Sequence, residues 1–436
     1  MGGRGRAVAA VLLAATAATA VLGVVGAPGA VAAVPAPAPA PGADGGGERQ
    51  ARAWLPQPTG PYPIGTTTLH LTDTGREDPW KPGQRRELMI SLWYPTARPA
   101  IGADRARYME PAAGEHFGAA GSVGQLNYGA TPGRTDWAGI RTHARPDAPA
   151  LPGGPRPVVL YSAGLGDPRT WGTALVEDLA SRGYVVVTLD HTYEASEVAF
   201  PDGDLATSVF PTMLGQPGLD IGAVLRKSMR TRVDDTRFVL DELGGLRLDP
   251  RLPAGLAASL DLDRIGMVGH SAGGFTALQT MHDDPRIAAG VNLDGQLHFP
   301  GPDGHTGVYL PSVAQDGLDR PFLLMGTRNE DSGDYHHQPG WDALWQHSTG
   351  WHADVTLNGS RHGSYTDAQS LLPQLARQGA ITPERLSDDV GDIRPDRAVL
   401  ATRSYVASFL DRWLRGHDDH LLDGPSARFP EMEYAR

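Results

Sequence analysis

The chain has 436 residues, a formal net charge of −12 and no cysteine. An acidic surface argues against nucleic acid as a partner and against tight binding to anionic lipid, because like charges repel. Without cysteine the chain forms no disulfide, so an exported form must be held together by its core alone.

The first 33 residues have the pattern of a secretory signal peptide. Arg4 and Arg6 precede an unbroken run of small and apolar residues over 7–26, and small residues continue to Ala33. A basic start, an apolar centre and small residues at the end are typical of a cleaved signal, so we expect cleavage near Ala33 and a secreted protein. The alternative is an uncleaved membrane anchor, for which the run is only marginally long enough.

The rest of the chain predicts a spacer and then one large domain. Residues 34–53 alternate Ala with Pro and then become Gly-rich, which is the composition of an extended and then flexible linker. The length of 54–436 suits a single α/β domain with insertions better than two small domains. We expect insertions at about 96–156 and 200–223. The first is either a lid or a plain surface excursion, because long insertions serve both purposes.

Strand and helix patterns alternate along this domain. Polar and apolar residues alternate at 66–72 and 87–94, which predicts two antiparallel strands near the start. A helical pattern at 171–181 lies between two continuous apolar runs, at 157–161 and 184–189, and this order is typical of a parallel sheet. The remaining predicted elements are helices at 225–243 and 398–414 and strands at 264–268, 287–293, 321–326 and 353–357.

The centre of the chain carries the strand–turn–helix pattern of a nucleophile elbow. An apolar run leads into Gly269-His270-Ser271-Ala272-Gly273, and a helix-compatible segment follows. The serine of such an elbow has a strained backbone, so its neighbours two residues away must be small. The pattern predicts Ser271 as a nucleophile in an α/β-hydrolase fold, with a mostly parallel central sheet flanked by helices and irregular insertions. The alternative is a glycine-rich surface turn that happens to contain a serine.

A serine nucleophile requires a base and a third group that orients the base. In this fold the three follow the chain order serine, acid, histidine. His362 lies in a turn-rich loop after the last predicted strand and is the expected base. Asp294 and Asp331 each end a predicted strand beyond the elbow, and chain order alone does not separate them as the acid.

Two backbone amides are needed to stabilise the oxyanion of an acyl-transfer intermediate. Ala272 follows the nucleophile at the start of a predicted helix, so its amide is one candidate. The other is expected from the loop after the strand at 157–161, where Gly164-Leu165-Gly166 allows a close backbone approach, and we select Leu165. The alternative is an ordinary strand-to-helix turn.

Two further polar pairs have no assigned role. His336 and His337 are adjacent, so their side chains project apart, and no set of spaced ligands accompanies them. We therefore expect no metal and no cofactor. Asp190 and His191 end a predicted strand, where they either line the mouth of the site or serve a structural role.

Six stretches match one known family in chain order. They are Leu92-Trp93-Tyr94-Pro95, Gly164-Leu165-Gly166 with Asp178–Ser181, Arg232–Leu240, Gly269–Gly274, Leu293-Asp294-Gly295 and Gly359–His362. Together they resemble the platelet-activating factor acetylhydrolase family, the plasma and intracellular type II group of α/β-hydrolases. The resemblance implies Asp294 rather than Asp331 as the acid, and Leu165 and Ala272 as the oxyanion amides. Ala163 stands where that family usually has histidine, which we expect to alter the pocket wall or the rigidity of that loop.

The sequence therefore predicts a secreted serine carboxylester hydrolase with Ser271, His362 and Asp294 as its triad. The family resemblance implies a small-molecule or lipid ester as substrate, including a short acyl chain or the sn-2 acetyl group of a phospholipid, with transient contact at a lipid interface. A lipase or polyester hydrolase of the same fold is the alternative enzyme. A non-catalytic binding protein of this fold is a further alternative, which the complete set of triad residue types argues against. Oligomeric state stays open.

Overall fold

The computed structural model describes five stretches of the chain, residues 49–97, 104–246, 249–304, 306–328 and 334–435. The predicted signal peptide at 1–33, most of the spacer at 34–53, and Asp331 therefore lie outside the described residues. The ordered contacts begin earlier than the expected start at residue 54. Ala51 and Ala53 are buried, and Ala51 N donates to Arg134 O at 2.7 Å.

Twelve strands are present in the part of the chain that the structure describes. They are β1 (Ile64–Glu77), β2 (Arg85–Pro95), β3 (Arg145–Pro146), β4 (Arg156–Ser162), β5 (Val185–Leu189), β6 (Glu197–Ala199), β7 (Leu205–Thr207), β8 (Leu260–His270), β9 (Ile287–Leu293), β10 (Phe322–Thr327), β11 (His352–Leu357) and β12 (Met432–Tyr434). Ten of them form one sheet in the order β12-β11-β10-β9-β8-β4-β5-β2-β1-β3, and β6 pairs with β7 separately. The six strands from β11 to β5 in that order run parallel, while β2 joins antiparallel to β5 and β1 antiparallel to β2.

Helices cover both faces of the sheet. In the described residues they are α1 (Pro111–Phe117), α2 (Val123–Tyr128), α3 (Thr173–Ser181), α4 (Phe210–Met213), α5 (Ile221–Gly245), α6 (Leu256–Ser259), α7 (Ala272–Asp283), α8 (Ser312–Asp316), α9 (Pro339–His347), α10 (Ala368–Ala376), α11 (Pro383–Val390) and α12 (Pro395–Arg415). Strand β4 shows how the layers form, because its successive side chains point to opposite faces. Val158 and Leu160 pack in the cluster that contains residues of α5, α7 and α9, whereas Val159 and Tyr161 pack with residues of α3 and α12. The predicted fold class is confirmed.

The predicted last strand at 353–357 is not the last one. Strand β12 follows it in the chain and pairs antiparallel with β11 at the edge of the sheet. With only three residues, β12 is too short to show a reliable alternation in sequence. Helices α9, α10 and α11 were also not predicted, and they lie between the elements that the periodicity did mark.

The insertion expected at about 96–156 is folded rather than irregular. It contributes α1, α2 and β3, and its aromatic side chains surround Trp171, which precedes α3. The ring centroid of Trp171 lies 4.8 Å from Phe117, 4.4 Å from Tyr128 and 5.7 Å from Trp137. Scattered aromatic residues thus form a third hydrophobic cluster, because they converge from different parts of the insertion.

The shorter insertion at about 200–223 is also partly ordered, since it includes β7 and α4. None of the helices within the described residues is both long and apolar enough to cross a bilayer.

Candidate active site

Ser271 occupies a strained turn between β8 and α7. Its backbone has φ 55° and ψ −121°, a combination that residues other than glycine rarely adopt. A Cβ on Gly269 would lie 2.0 Å from the Gly273 carbonyl oxygen, and a Cβ on Gly273 would lie 1.9 Å from the Ser162 carbonyl oxygen. The two flanking glycines are therefore required by close backbone packing, as the elbow pattern predicts.

Asp294 and His362 come together from different strand ends. Asp294 directly follows β9, and His362 begins a short 3₁₀ turn after β11. His362 Nδ1 lies 2.6 Å from Asp294 Oδ2. Because a carboxylate only accepts, Nδ1 carries the proton and donates it, which leaves Nε2 as the acceptor of the ring.

Two bonds from Thr327 hold the Asp294 carboxylate in place. Thr327 N donates to Oδ1 at 3.1 Å, and its hydroxyl donates to Oδ2 at 3.0 Å. Sequence analysis missed this residue, although its position at the end of β10, beside β9 in the sheet, is the kind of strand-end site where polar residues gather. Asp331, the alternative acid, lies outside the described residues, so the structure does not place it.

His362 is held close to the elbow by the residue before the serine. The rings of His270 and His362 lie 4.4 Å apart, and His270 Nε2 donates to the His362 carbonyl oxygen at 2.9 Å. Burial, together with the neighbouring His362, lowers the pKa of His270 well below its ordinary value, so this ring stays neutral. Sequence analysis had not assigned His270 a role.

No hydrogen bond joins the Ser271 hydroxyl to the His362 ring in the described residues. His362 Nε2 is buried there without a hydrogen-bond partner. Because Nδ1 carries the proton, Nε2 keeps a lone pair that can accept a hydrogen bond.

Both segments that carry the predicted oxyanion amides lie close to Ser271. Ala272 N opens helix α7, and the loop that carries Leu165 passes so near that a Cβ on Gly164 would lie 3.5 Å from Ser271 Cβ. Neither the Leu165 nor the Ala272 amide donates to any acceptor within the described stretches. Both N–H groups are therefore free of protein acceptors in this part of the structure.

A small cavity opens beside these groups. Its volume is about 40 Å³, and Ser271 and Ala272 form part of its wall. The apolar part of the wall comes from Leu165, Leu225, Met229, Phe275 and Phe299. A wider groove of about 250 Å³ shares Met229, Phe275 and Phe299 with it. Space next to the serine is thus narrow, and a wider groove lies nearby along the face of α5.

The remaining polar residues considered from the sequence have structural partners. Asp190 accepts from Arg169 N at 2.6 Å, and His191 bonds both Asp235 Oδ2 and Ser162 Oγ at 3.0 Å. These contacts join buried segments, which favours a structural role for Asp190 and His191. His337 pairs with Asp334 at 3.0 Å.

One group of possible metal ligands occurs among the described residues, on the surface. Asp418, His420 and Asp423 place their ligand atoms within 4.8 Å of one another. Arg412 already bridges the two carboxylates, at 3.3 Å from Asp418 and 3.2 Å from Asp423. These residues are not part of the site around Ser271.

Comparison with known proteins agrees with this architecture. The sequence profile of the family "Platelet-activating factor acetylhydrolase, isoform II" matches residues 48–202. A protein of Arthroderma benhamiae named "Probable 1-alkyl-2-acetylglycerophosphocholine esterase" is 28% identical over 399 residues, which span 87% of this chain and 93% of that protein. The platelet-activating factor acetylhydrolase of Cavia porcellus is 26% identical, with 59% of each chain covered.

A solved structure extends the similarity to the fold. It is described as a ferulic acid esterase from Streptomyces cinnamoneus and is 37% identical to this chain, with a TM-score of 0.69. The match covers 88% of this chain and 99% of the esterase. All of these relatives are named for the hydrolysis of an ester.

Proposed function

We propose that this chain acts by a serine-dependent mechanism. It belongs to the platelet-activating factor acetylhydrolase, isoform II, family and is a carboxylic ester hydrolase. The observation that carries the proposal is the 2.6 Å bond between His362 Nδ1 and Asp294 Oδ2, formed beside a serine in a strained elbow. A serine hydroxyl is a weak nucleophile near neutral pH, and such a pair is what activates it.

In the first half of the reaction, Ser271 Oγ attacks the ester carbonyl while His362 Nε2 takes its proton. Asp294 keeps Nδ1 protonated and stabilises the imidazolium that forms. The Leu165 and Ala272 amides donate to the oxyanion of the tetrahedral intermediate. When that intermediate collapses, the bond to the leaving alcohol breaks, His362 returns the proton to it, and an acyl-serine remains.

In the second half, water replaces the alcohol and the same groups act again. His362 Nε2 takes a proton from water, whose oxygen attacks the acyl carbonyl. The second tetrahedral intermediate collapses with release of the carboxylic acid, and the Ser271 hydroxyl is restored by the proton on His362. Apart from the ester, water is the only reactant that this cycle requires.

The small cavity favours an ester with a short acyl group. A volume of about 40 Å³ beside Ser271 holds only a few water-sized groups. An acetyl group is of that size, and two of the relatives are named for acetyl esters. A long-chain lipase or a polyester hydrolase would require more space next to the serine.

An aromatic acyl group is the second candidate. Phe275 and Phe299 lie 5.2 Å apart and line both the cavity and the wider groove, and the 37% identical neighbour is described as a ferulic acid esterase. Rates of hydrolysis for methyl acetate, methyl butyrate, methyl octanoate and methyl ferulate distinguish a short acyl group from an aromatic one as the preferred substrate. A preference for acetate supports the first candidate, and a preference for ferulate supports the second.

We also propose that the protein is exported and cleaved near Ala33, on the pattern of its first 33 residues. Intact mass of the protein recovered from the medium of an expressing bacterial host tests this. A mass that begins within a few residues of position 34 supports export, and full-length protein retained in the membrane fraction contradicts it.

The decisive test of the mechanism is Ser271→Ala. We expect kcat for a short-chain chromogenic ester to fall by at least about 10⁴-fold, because the nucleophile is lost. Ser228→Ala is a matched control, since Ser228 is also buried and its hydroxyl has no partner in the described residues. Intact mass after exposure to an organophosphate should show one label in the wild type and in the control, and none in Ser271→Ala. Retained hydrolysis or labelling in Ser271→Ala would overturn the proposal.

A further inference from the structure

A buried arginine binds the loop that carries one of the oxyanion amides. Arg232 lies on α5, far from Leu165 in sequence, and is 1% exposed. Its Nη1 donates to the Ala163 carbonyl oxygen at 2.7 Å, and its Nη2 donates to the Gly164 carbonyl oxygen at 2.9 Å. Its Nε donates to Glu194 Oε2 at 2.8 Å, so the guanidinium is itself held from behind.

The direction of the Leu165 amide follows from these contacts. The Gly164 carbonyl and the Leu165 N–H belong to one planar peptide group, and in a trans peptide they point in opposite directions. Because Arg232 draws the Gly164 oxygen toward α5, the Leu165 N–H must point away from the guanidinium. Leu165 lines the same cavity as Ser271, and a Cβ on the preceding Gly164 would lie 3.5 Å from Ser271 Cβ.

Within the loop itself, the Gly164 carbonyl oxygen also accepts from Asp167 N at 3.1 Å, which closes a tight turn but does not tie that turn to α5. Gly164 has no side chain, and Ala163 offers only a methyl group at the position where the family usually has histidine. Further along, Asp167 accepts from the Tyr128 hydroxyl at 2.8 Å, and Ser196 N donates to the Gly166 carbonyl oxygen at 2.8 Å. Those contacts hold the far end of the loop, whereas Arg232 is the side chain that ties the Ala163 and Gly164 carbonyls to α5.

We propose that Arg232 is a positioning residue that aims the Leu165 N–H at the oxyanion by holding the carbonyls of Ala163 and Gly164. It acts through the backbone and does not contact the substrate. Hydrogen bonds from a buried charged donor are strong, and two of them in a fixed fork resist rotation of the peptide. The inference deepens the proposed function and rests on it.

The expected effect is confined to the transition state. Loss of a whole oxyanion donor costs about 10²–10³-fold in kcat, and a misaligned donor should cost part of that. We therefore expect kcat to fall by about 10- to 100-fold when Arg232 is replaced. KM should change by less than about threefold, because the ground-state carbonyl gains little from these amides.

The test uses two kinds of replacement in the full-length protein. Arg232→Lys keeps the charge but loses the planar fork that reaches both carbonyls. Arg232→Met combined with Glu194→Gln removes the guanidinium without leaving a buried carboxylate unpaired. Should the double variant fail to fold, Arg232→Lys and Glu194→Gln alone still test the proposal. For the latter we expect a loss of about two- to fivefold, since Arg232 loses a charged partner.

Arg403→Lys is the matched control. Arg403 is also buried, at 3% exposure, and its guanidinium also donates to backbone carbonyls, those of Ala174, Gln57 and Pro56. Its replacement should lower Tm to a degree comparable with Arg232→Lys but leave kcat unchanged for each active site. Sites are counted by titration with an organophosphate, so that unfolded protein does not lower kcat.

The inhibition constant of a trifluoromethyl ketone separates positioning from simple support of the fold. Its adduct with the serine carries an oxyanion, so we expect the constant to rise in proportion to the loss of kcat/KM across the Arg232 variants. A fall in Tm with unchanged kcat and unchanged inhibition would overturn the inference. An active Ser271→Ala enzyme would instead overturn the proposed function, whatever the Arg232 variants do.

Discussion

At the scale of single residues, the proposed nucleophile and the proposed acid share an unusual backbone. Ser271 has φ 55° and Asp294 has φ 56°, and each directly follows a strand of the sheet. A conformation of this kind costs about 1–3 kcal/mol, so neighbouring contacts must enforce it. Ser271 N donates to Leu293 O and Asp294 N donates to Met325 O, both at 2.8 Å. In both turns, the backbone amide just after one strand donates to a carbonyl of the adjacent strand. The two turns are therefore fixed by the same kind of hydrogen bond.

Asp294→Asn should reduce kcat by about 10²- to 10⁴-fold while leaving the fold intact, because a neutral amide no longer stabilises the imidazolium. The amide oxygen can still accept from Thr327 N, and the Thr327 hydroxyl can turn to accept from the amide NH2, which limits the cost to stability. Steady-state kinetics together with circular dichroism measure the two effects. Asp331→Asn is the control and should change kcat by less than about twofold. A larger loss at Asp331 would transfer the role of acid to that residue.

At the scale of elements, the long insertion is a support for the site rather than a detached excursion. A Cβ on Gly166, in the proposed oxyanion loop, would lie 2.4 Å from a methyl carbon of Val123, so α2 packs directly against that loop. Tyr108 from the same insertion donates to Asp367 at 3.0 Å, next to α10. Because the insertion packs against α3 and α10 at once, we expect it to stay in place during turnover.

Trp137→Ala should lower the free energy of unfolding by about 3–5 kcal/mol, because it removes a buried indole from the third cluster. Trp137 is 2% exposed and meets Phe117 edge-on at 5.0 Å. Urea titration measures the loss, and Trp54→Ala, at a position that is 67% exposed, should cost far less.

Hydrogen exchange with and without a covalent inhibitor tests whether the insertion stays in place during turnover. Strong inhibitor-dependent changes over 104–140 would instead indicate a lid.

At the scale of the whole molecule, several carboxyl groups are buried in an acidic protein that has no disulfide. Desolvation raises the pKa of Asp354 to about 8 and the pKa of Asp367 to about 7. The folded state therefore binds more protons than the unfolded chain in the range between the ordinary carboxyl pKa and these raised values. The stability that these groups contribute is fully present below the ordinary carboxyl pKa of about 4, and it is lost progressively as the pH rises from there to about 7 to 8.

Asp354→Asn should weaken this pH dependence. In the wild type, each such group lowers the free energy of unfolding by up to about 1.4 kcal/mol per pH unit between the unfolded and folded pKa values. The variant lacks one of them, so the fall in Tm from about pH 5 to about pH 8 should be smaller than in the wild type. Asp319→Asn, whose side chain is 81% exposed, should follow the wild-type profile. An Asp354→Asn profile parallel to the wild type would contradict the raised pKa.

The sequence by itself determined the features that depend on neighbours along the chain. Gly269 and Gly273 marked the elbow because close packing two residues from a strained serine excludes a side chain. Alternating or continuous apolar runs located the main strands, and β9 occupies the predicted range of 287–293. These patterns are legible because backbone geometry repeats over a few residues, whatever the rest of the fold does.

The tertiary structure alone decided which distant residues meet. The periodicity of α5 gave no sign that Arg232 reaches the carbonyls of Ala163 and Gly164, or that Thr327 holds Asp294. The aromatic residues of the insertion looked scattered because their common neighbour, Trp171, lies beyond it in the chain. Such contacts depend on the order of strands in the sheet and on the faces that helices turn toward it. Local spacing does not record that order, because contacts between remote segments are set by how the whole core packs.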